Sequence, residues 1–100
     1  ALQHRASRCF VELELAQSCV IAGLSNTTSE SVDFASSASL AKWKVSNMAD
    51  LITTEAIQMH GGIGVTDELD IGLFLKRIRV AQMCLGDADF HQARFLKYMN

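Results

Sequence analysis

Four stretches of the chain repeat apolar side chains every three or four residues, the spacing that places them on one face of an α-helix. The first covers residues 2–20, and the second and longest covers residues 34–59. Two shorter stretches cover residues 71–83 and 90–99. No segment alternates apolar and polar residues as a half-buried strand does. The pattern predicts an all-α fold, an up-and-down bundle of two long and two short helices.

The first two helices are separated by a polar segment, residues 25–31, that is rich in turn-forming residues. Gly23, just before it, can end the first helix because a left-handed cap costs glycine little. Thr27 and Glu30 have the spacing of a capping box, in which each side chain satisfies a backbone N–H of a helix start. We therefore expect the second helix to begin just beyond this pair.

Three glycines, Gly61, Gly62 and Gly64, interrupt the helical pattern after the second stripe. Glycine tolerates backbone angles that disfavour helix, so a loop is expected here. Thr66 and Asp67 can both cap the N-terminus of the third helix. On physical grounds alone, a turn that only caps one helix and starts the next is the favoured explanation of the glycines.

Composition indicates a single domain and excludes several classes of protein. The chain has 100 residues, 49% of them hydrophobic, and a formal net charge of −2, so it offers no basic field for nucleic acid. The three cysteines show no CxxC spacing, which predicts neither a disulfide framework nor a metal site and favours a reducing, cytoplasmic location. No apolar run is long enough for a membrane span.

The start of the chain predicts that it is a fragment. It has no initiator methionine and enters an apolar helical pattern at once. If the natural bundle holds another helix upstream, the fragment leaves an apolar groove uncovered, and association with another chain is expected.

The glycine segment is where candidate chemistry concentrates, because glycine backbone can approach a phosphate or a flat ring closely. The end of a helix carries partial negative charge, so a phosphate here would need donors from Gln58, the loop amides or a cation from another chain. Residues 55–64 (EAIQMHGGIG), followed by Leu75-Lys76-Arg77 and Gly86, resemble the C-terminal domain of the acyl-CoA dehydrogenases. Residues 2–5 (LQHR) and 11–16 (VELELA) are similar to the helix that begins this domain, so the resemblance spans essentially the whole chain.

The resemblance implies that residues 1–100 are the C-terminal helical domain of a larger flavoenzyme, whose N-terminal helical and middle β domains are absent. It implies an FAD shared with a neighbouring subunit, a homo- or hetero-oligomer, an acyl-CoA substrate and electron-transfer flavoprotein as a possible acceptor. Gln58 would donate an amide hydrogen bond and the glycines would allow close backbone approach. The residues that match the family's contacts to the adenosine-diphosphate part of FAD are Gln58, Met59, His60, Gly61 and Gly62.

The family's reaction is α,β-dehydrogenation, in which a carboxylate removes the α proton and a hydride leaves to the flavin. In many members the glutamate immediately precedes the glycine that matches Gly86, but here Leu85 stands there and cannot accept a proton. No catalytic residue is therefore assigned. The base could lie on an earlier helix, or the chain could belong to a heteromeric pair in which one subunit lacks it; the second is favoured slightly. Asp87 is predicted to cap the last helix rather than to act as the base.

Two other functions stay open, a non-catalytic helical oligomerisation subunit and an acyl-CoA oxidase-like relative. Most charged and aromatic residues are expected to be structural: Cys84 buried, Trp43 and Phe34 in the core or an interface. The basic cluster Lys76, Arg77 and Arg79 is predicted to pair with Glu68 or Asp70 at the surface. A solvated face of the second helix is predicted to carry Lys42, Lys44, Asn47 and Asp50.

Overall fold

The computed structural model describes residues 2–27, 32–62 and 68–100, with the side chains of residues 3–27, 34–59 and 72–100. These residues form four helices of 24, 31, 16 and 12 residues, and none of them lies in a strand. The predicted all-α fold with two long and two short helices is confirmed. The helices are α1 (Leu2–Ser25), α2 (Val32–Gly62), α3 (Glu68–Met83) and α4 (Ala88–Met99).

The two long helices form an antiparallel pair. Arg5 near the start of α1 contacts Gln58 near the end of α2, whereas Asn26 just after α1 donates to the Ser37 hydroxyl at 2.9 Å. The first contact joins residues 53 apart in sequence and the second joins residues 11 apart, as expected when the chain folds back on itself. One end of the pair is therefore the connection between the helices, and the other brings the start of α1 to the end of α2.

Helix α2 also packs on α4, and these two helices run in the same direction. Ser39 pairs with His91, and Trp43, one turn further, packs against Phe95 with ring centroids 6.0 Å apart. Contacts that advance together along both helices require parallel axes. The up-and-down order of the bundle follows, with α2 as the helix that contacts the other three.

Small residues allow the helices to approach closely. Ala16 is 2% exposed and Ser39 is fully buried, and a Cβ built at Gly23 would lie 3.7 Å from the Ser37 carbonyl oxygen. The sequence predicted that Gly23 ends α1. Instead, Gly23 lies inside the helix, which continues through Ser25. The physical reason is that glycine also suits a helix where a neighbouring backbone approaches.

The second helix begins at Val32, just beyond the polar segment at residues 25–31, as predicted. The Thr27 hydroxyl donates to the Leu24 carbonyl at 2.8 Å in the turn after α1, and its predicted capping-box partner Glu30 lies outside the described residues. Gly61 and Gly62 are the last two residues of α2 rather than part of a loop, because glycine can also adopt helical angles. The remaining predicted break and cap residues, Gly64, Thr66 and Asp67, lie outside the described part of the chain.

Much apolar surface stays exposed on α1, α3 and α4. Among the described side chains Ala16 is the one buried hydrophobic residue, whereas Phe74 is 70% exposed on α3 and Phe10 is 62% exposed on α1. Exposed large apolar side chains in this number are typical of a surface that a partner covers. None of the helices in the described part combines the length and apolar character needed to cross a bilayer.

Asp87 caps α4, as the sequence predicted. Its backbone is extended, with φ −86° and ψ −178°, and Oδ1 accepts the Phe90 N–H at 2.9 Å. Asp87→Ala leaves that donor unsatisfied and should destabilise α4 by about 1 kcal/mol. Hydrogen exchange of the first-turn amides of α4 measures the loss. Asp89→Ala, which removes a carboxylate from the same turn without removing the cap, is the control, and equal loss in both variants would contradict the cap.

Candidate functional site

The end of α2 meets the start of α1 in a small polar cluster. The Gln58 side chain is exposed, and its Oε1 accepts a hydrogen bond from Arg5 Nη1 at 2.8 Å. Arg5 Nε also lies 3.6 Å from Glu55 Oε2, one helical turn before Gln58. A cation is thus present at this helix end in the same chain, whereas the sequence predicted one only from another chain.

The contact with Arg5 determines how the Gln58 amide faces. A guanidinium group only donates hydrogen bonds, so the atom of Gln58 that meets it is the carbonyl oxygen. The amide nitrogen, with its two donors, is then on the side turned away from Arg5, and no group in the described part of the chain accepts from it. Gln58 therefore offers a donor at the surface that no described group occupies.

The five predicted cofactor-contacting residues all lie in the last turns of α2. Gln58 is exposed and Met59 is half-buried; His60, Gly61 and Gly62 are helical, and the His60 side chain is outside the described set. Residues three and four apart share a helix face, so Gly61 and Gly62 stand on the same side of α2 as Gln58. The structure places an amide donor beside two residues without side chains, which is a surface that a flat or anionic group can approach.

A second feature is the turn between α3 and α4, residues 84–87. Leu85 has φ 60° and Gly86 has φ 98°, so two successive residues adopt the left-handed region that favours glycine. The Leu85 side chain is 90% exposed. An apolar side chain with no proton acceptor therefore projects from the turn at which the resemblance implies a glutamate in many relatives.

His91 holds this turn from within the bundle. It is 8% exposed; its Nε2 lies 2.9 Å from the Leu85 carbonyl oxygen and its Nδ1 lies 3.2 Å from Ser39 Oγ. A carbonyl oxygen can only accept, so Nε2 carries a proton, and in the neutral ring Nδ1 accepts the Ser39 hydroxyl. Sequence reasoning missed this pair because its members are 52 residues apart and no motif connects them.

Lys42 holds the same turn from α2. Its ammonium group donates to the carbonyl oxygens of Ala81 at 2.5 Å and Cys84 at 2.9 Å, which otherwise lack helical partners at the end of α3. Of the four residues predicted on a solvated face of α2, Asn47 and Asp50 are exposed, whereas Lys42 and Lys44 are half-buried and Lys42 contacts the end of α3. Cys84, predicted to be buried, is exposed.

Asp50 contacts α3 about two helical turns beyond Lys42 on α2. It accepts from Arg79 Nη1 at 3.0 Å and from the Gln82 amide at 2.8 Å, and Gln82 also donates to the Ser46 carbonyl at 3.0 Å. Arg79 therefore pairs with α2, while the side chains of its predicted partners, Glu68 and Asp70, lie outside the described set. These contacts fix the position of α3.

A groove of about 490 Å³ opens between α2, α3 and α4 beside the turn. Its walls are mostly apolar, with Lys42 and Arg77 as cations, and the ring of His91 also lines it. None of the residues that line it carries a carboxylate, and both His91 nitrogens are engaged. In the described part of the chain, the groove thus contains no free proton acceptor, and no group of three or more His, Cys, Asp or Glu side chains is arranged to hold a metal.

The chain matches proteins of known family. Residues 1–97 match the family model of the acyl-CoA dehydrogenase C-terminal domain. The chain is also similar to acyl-CoA dehydrogenase IpdE2 of Mycolicibacterium smegmatis, with 35% identity over 86 residues that make up 86% of this chain and 26% of that protein. The chain thus spans about a quarter of the length of this relative. No solved structure matches significantly. The helical bundle and the family match together show that this chain belongs to the acyl-CoA dehydrogenase family and matches its C-terminal domain.

Proposed function

We propose that residues 1–100 are the C-terminal domain of an FAD-dependent acyl-CoA dehydrogenase and that the end of α2 contacts the adenosine-diphosphate part of an FAD held mainly by a neighbouring subunit. The observation that carries the proposal is the exposed Gln58 amide, oriented by Arg5 and followed on the same face by Gly61 and Gly62. This donor set fits an anionic dinucleotide, because it combines an oriented amide donor with bare backbone.

Each residue has a separate part in holding the nucleotide. Gln58 donates a hydrogen bond from its amide nitrogen, and the two glycines let the ligand approach the backbone closely. The bound flavin would supply the hydride acceptor for the oxidation of the acyl-CoA.

Proton removal requires a carboxylate outside the turn at residues 84–87. Leu85 has no acid-base function, and the Asp87 side chain is occupied with the N-terminus of α4. The base is therefore supplied by an upstream helix of the same protein or by a paired subunit. The same proposal places the enzyme in the cytoplasm, in an oligomer covering the exposed apolar faces, with electron-transfer flavoprotein as its electron acceptor.

Gln58→Ala in the full-length enzyme tests the cofactor contact. Loss of one hydrogen bond to a charged ligand should weaken FAD binding about tenfold. FAD affinity is measured by adding the cofactor back to apoprotein and following flavin fluorescence. Gln92→Ala, an exposed glutamine of α4 far along the chain from this cluster, is the matched control. Unchanged FAD affinity in Gln58→Ala would contradict the proposal.

Leu85 favours a second candidate, a non-catalytic subunit in a heteromeric dehydrogenase. Purifying the full-length protein alone and with its partner distinguishes the two. Reduction of an electron acceptor by the protein alone would show that it carries its own base, whereas activity only in the pair would show a complementary subunit.

A further inference from the structure

We infer that Arg5 is a positioning residue for Gln58, which it holds with the amide donors facing the ligand. The inference rests on the proposed function, because it concerns the same nucleotide site. It goes beyond that function in assigning a role to a residue of α1, 53 positions before Gln58, that does not belong to the glycine segment.

The geometry of the contact determines which atom of the Gln58 amide faces Arg5. Arg5 Nη1 lies 2.8 Å from Gln58 Oε1, a distance typical of a charge-assisted hydrogen bond. A free glutamine side chain can rotate its amide by half a turn and exchange oxygen for nitrogen. Beside Arg5 one orientation is strongly preferred, since the reverse would place N–H donors against a guanidinium group that cannot accept.

Glu55 keeps Arg5 in place. Its Oε2 lies 3.6 Å from Arg5 Nε, and the Glu55 side chain is only 15% exposed. Glu55 Oε2 is buried and makes no hydrogen bond in the described part of the chain, so Arg5 is the cation that balances this carboxylate. A guanidinium group contacting two side chains one turn apart on α2 has little freedom to turn away.

Arg5 determines whether Gln58 presents hydrogen-bond donors or an acceptor to a ligand. With Arg5 present, Gln58 presents N–H groups, which suit a diphosphate; without it, the amide rotates freely and presents its oxygen part of the time. An oxygen facing a diphosphate is repulsive, and the ligand must also restrict the side chain when it binds. By fixing the amide in the unbound protein, Arg5 avoids both the repulsion and the loss of side-chain freedom on binding.

The test is a double-mutant cycle in the full-length flavoenzyme, with FAD affinity of the apoprotein as the readout. Arg5→Met should weaken FAD binding about fivefold, and Gln58→Ala about tenfold. If Arg5 acts through Gln58, the double variant should bind FAD no more weakly than Gln58→Ala alone. Arg8→Met is the matched control, because Arg8 is exposed one turn further along α1 and makes no hydrogen bond or ion pair with a described residue.

Two further variants separate positioning from folding. Arg5→Lys keeps the charge and one donor and should restore part of the lost affinity. Arg5→Met combined with Glu55→Gln removes the buried charge that the single variant leaves unbalanced, so the affinity loss should persist while the melting temperature of the apoprotein recovers.

The outcomes distinguish the two proposals. Losses that multiply in the double variant, or an Arg5→Met variant that binds FAD as well as the wild type, would overturn the positioning role and leave the proposed function intact. A Gln58→Ala variant with unchanged affinity would overturn the proposed function itself. Loss of affinity that disappears when Glu55→Gln restores stability would show that Arg5 only supports the fold.

Discussion

His91→Ala is expected to destabilise the packing of α4 on α2 by roughly 2–4 kcal/mol, from a cavity and two lost hydrogen bonds. The ring is 8% exposed and contacts Ser39, which is fully buried, and the Leu85 carbonyl oxygen. Removing the ring takes away the acceptor of the Ser39 hydroxyl, which is fully buried in the intact protein. Few substitutions in the described part of the chain should cost as much.

Hydrogen exchange of the α4 amides in the full-length protein measures this effect, since local opening of α4 exposes them. His4→Ala is the control: His4 is exposed on α1 and should leave exchange unchanged. Ser39→Ala should cost less than His91→Ala, because it removes one hydrogen bond and no ring. Protection of α4 that survives His91→Ala would show that the histidine does not hold the turn.

Gly86→Ala is expected to destabilise the same region by a similar amount, roughly 2–4 kcal/mol. Gly86 has φ 98°, which alanine adopts only with strain. A Cβ there would also lie 2.8 Å from Phe90 Cδ1 and 2.9 Å from His91 Nε2. The methyl group would therefore displace the atom that bonds the Leu85 carbonyl oxygen.

Gly72→Ala provides the matched comparison for the glycine substitution. Gly72 lies inside α3, and a Cβ built there would meet nothing within 4 Å. The same change should stabilise the protein by about 0.5–1 kcal/mol, because alanine favours helix over glycine. Thermal unfolding of the two variants should shift in opposite directions. A loss of stability in Gly72→Ala equal to that in Gly86→Ala would mean that strain at residue 86 is not the cause.

Helix number and order could be predicted from the sequence because each helix carries its own apolar stripe. The residues at which the helices end could not be predicted as well, and two glycines illustrate the reason. Gly23 and Gly61 both lie inside helices, since glycine permits several backbone conformations and the surrounding contacts select one. Asp87 was placed correctly because a cap depends on local hydrogen bonds within a few residues of sequence.

The candidate sites divide in the same way. Gln58 and its glycines were found because they are contiguous and form a motif. Arg5, which orients Gln58, could not be found in the same way. It reaches Gln58 only when α1 and α2 pair, and no short-range sequence pattern specifies how these helices align. Ser39 and Lys42 were missed as supports of the turn for the same reason: serine and lysine on a helix are ordinarily expected in solvent.

Helix α2 sets the distance between the two sites. Ser39, which supports the turn, and Gln58, at the cofactor end, lie on one uninterrupted helix at positions 39 and 58. At 1.5 Å per residue, these two positions are about 28 Å apart along the helix axis. A ligand that contacts both sites must therefore be bound in an extended conformation, whereas a compact ligand can occupy only one of them.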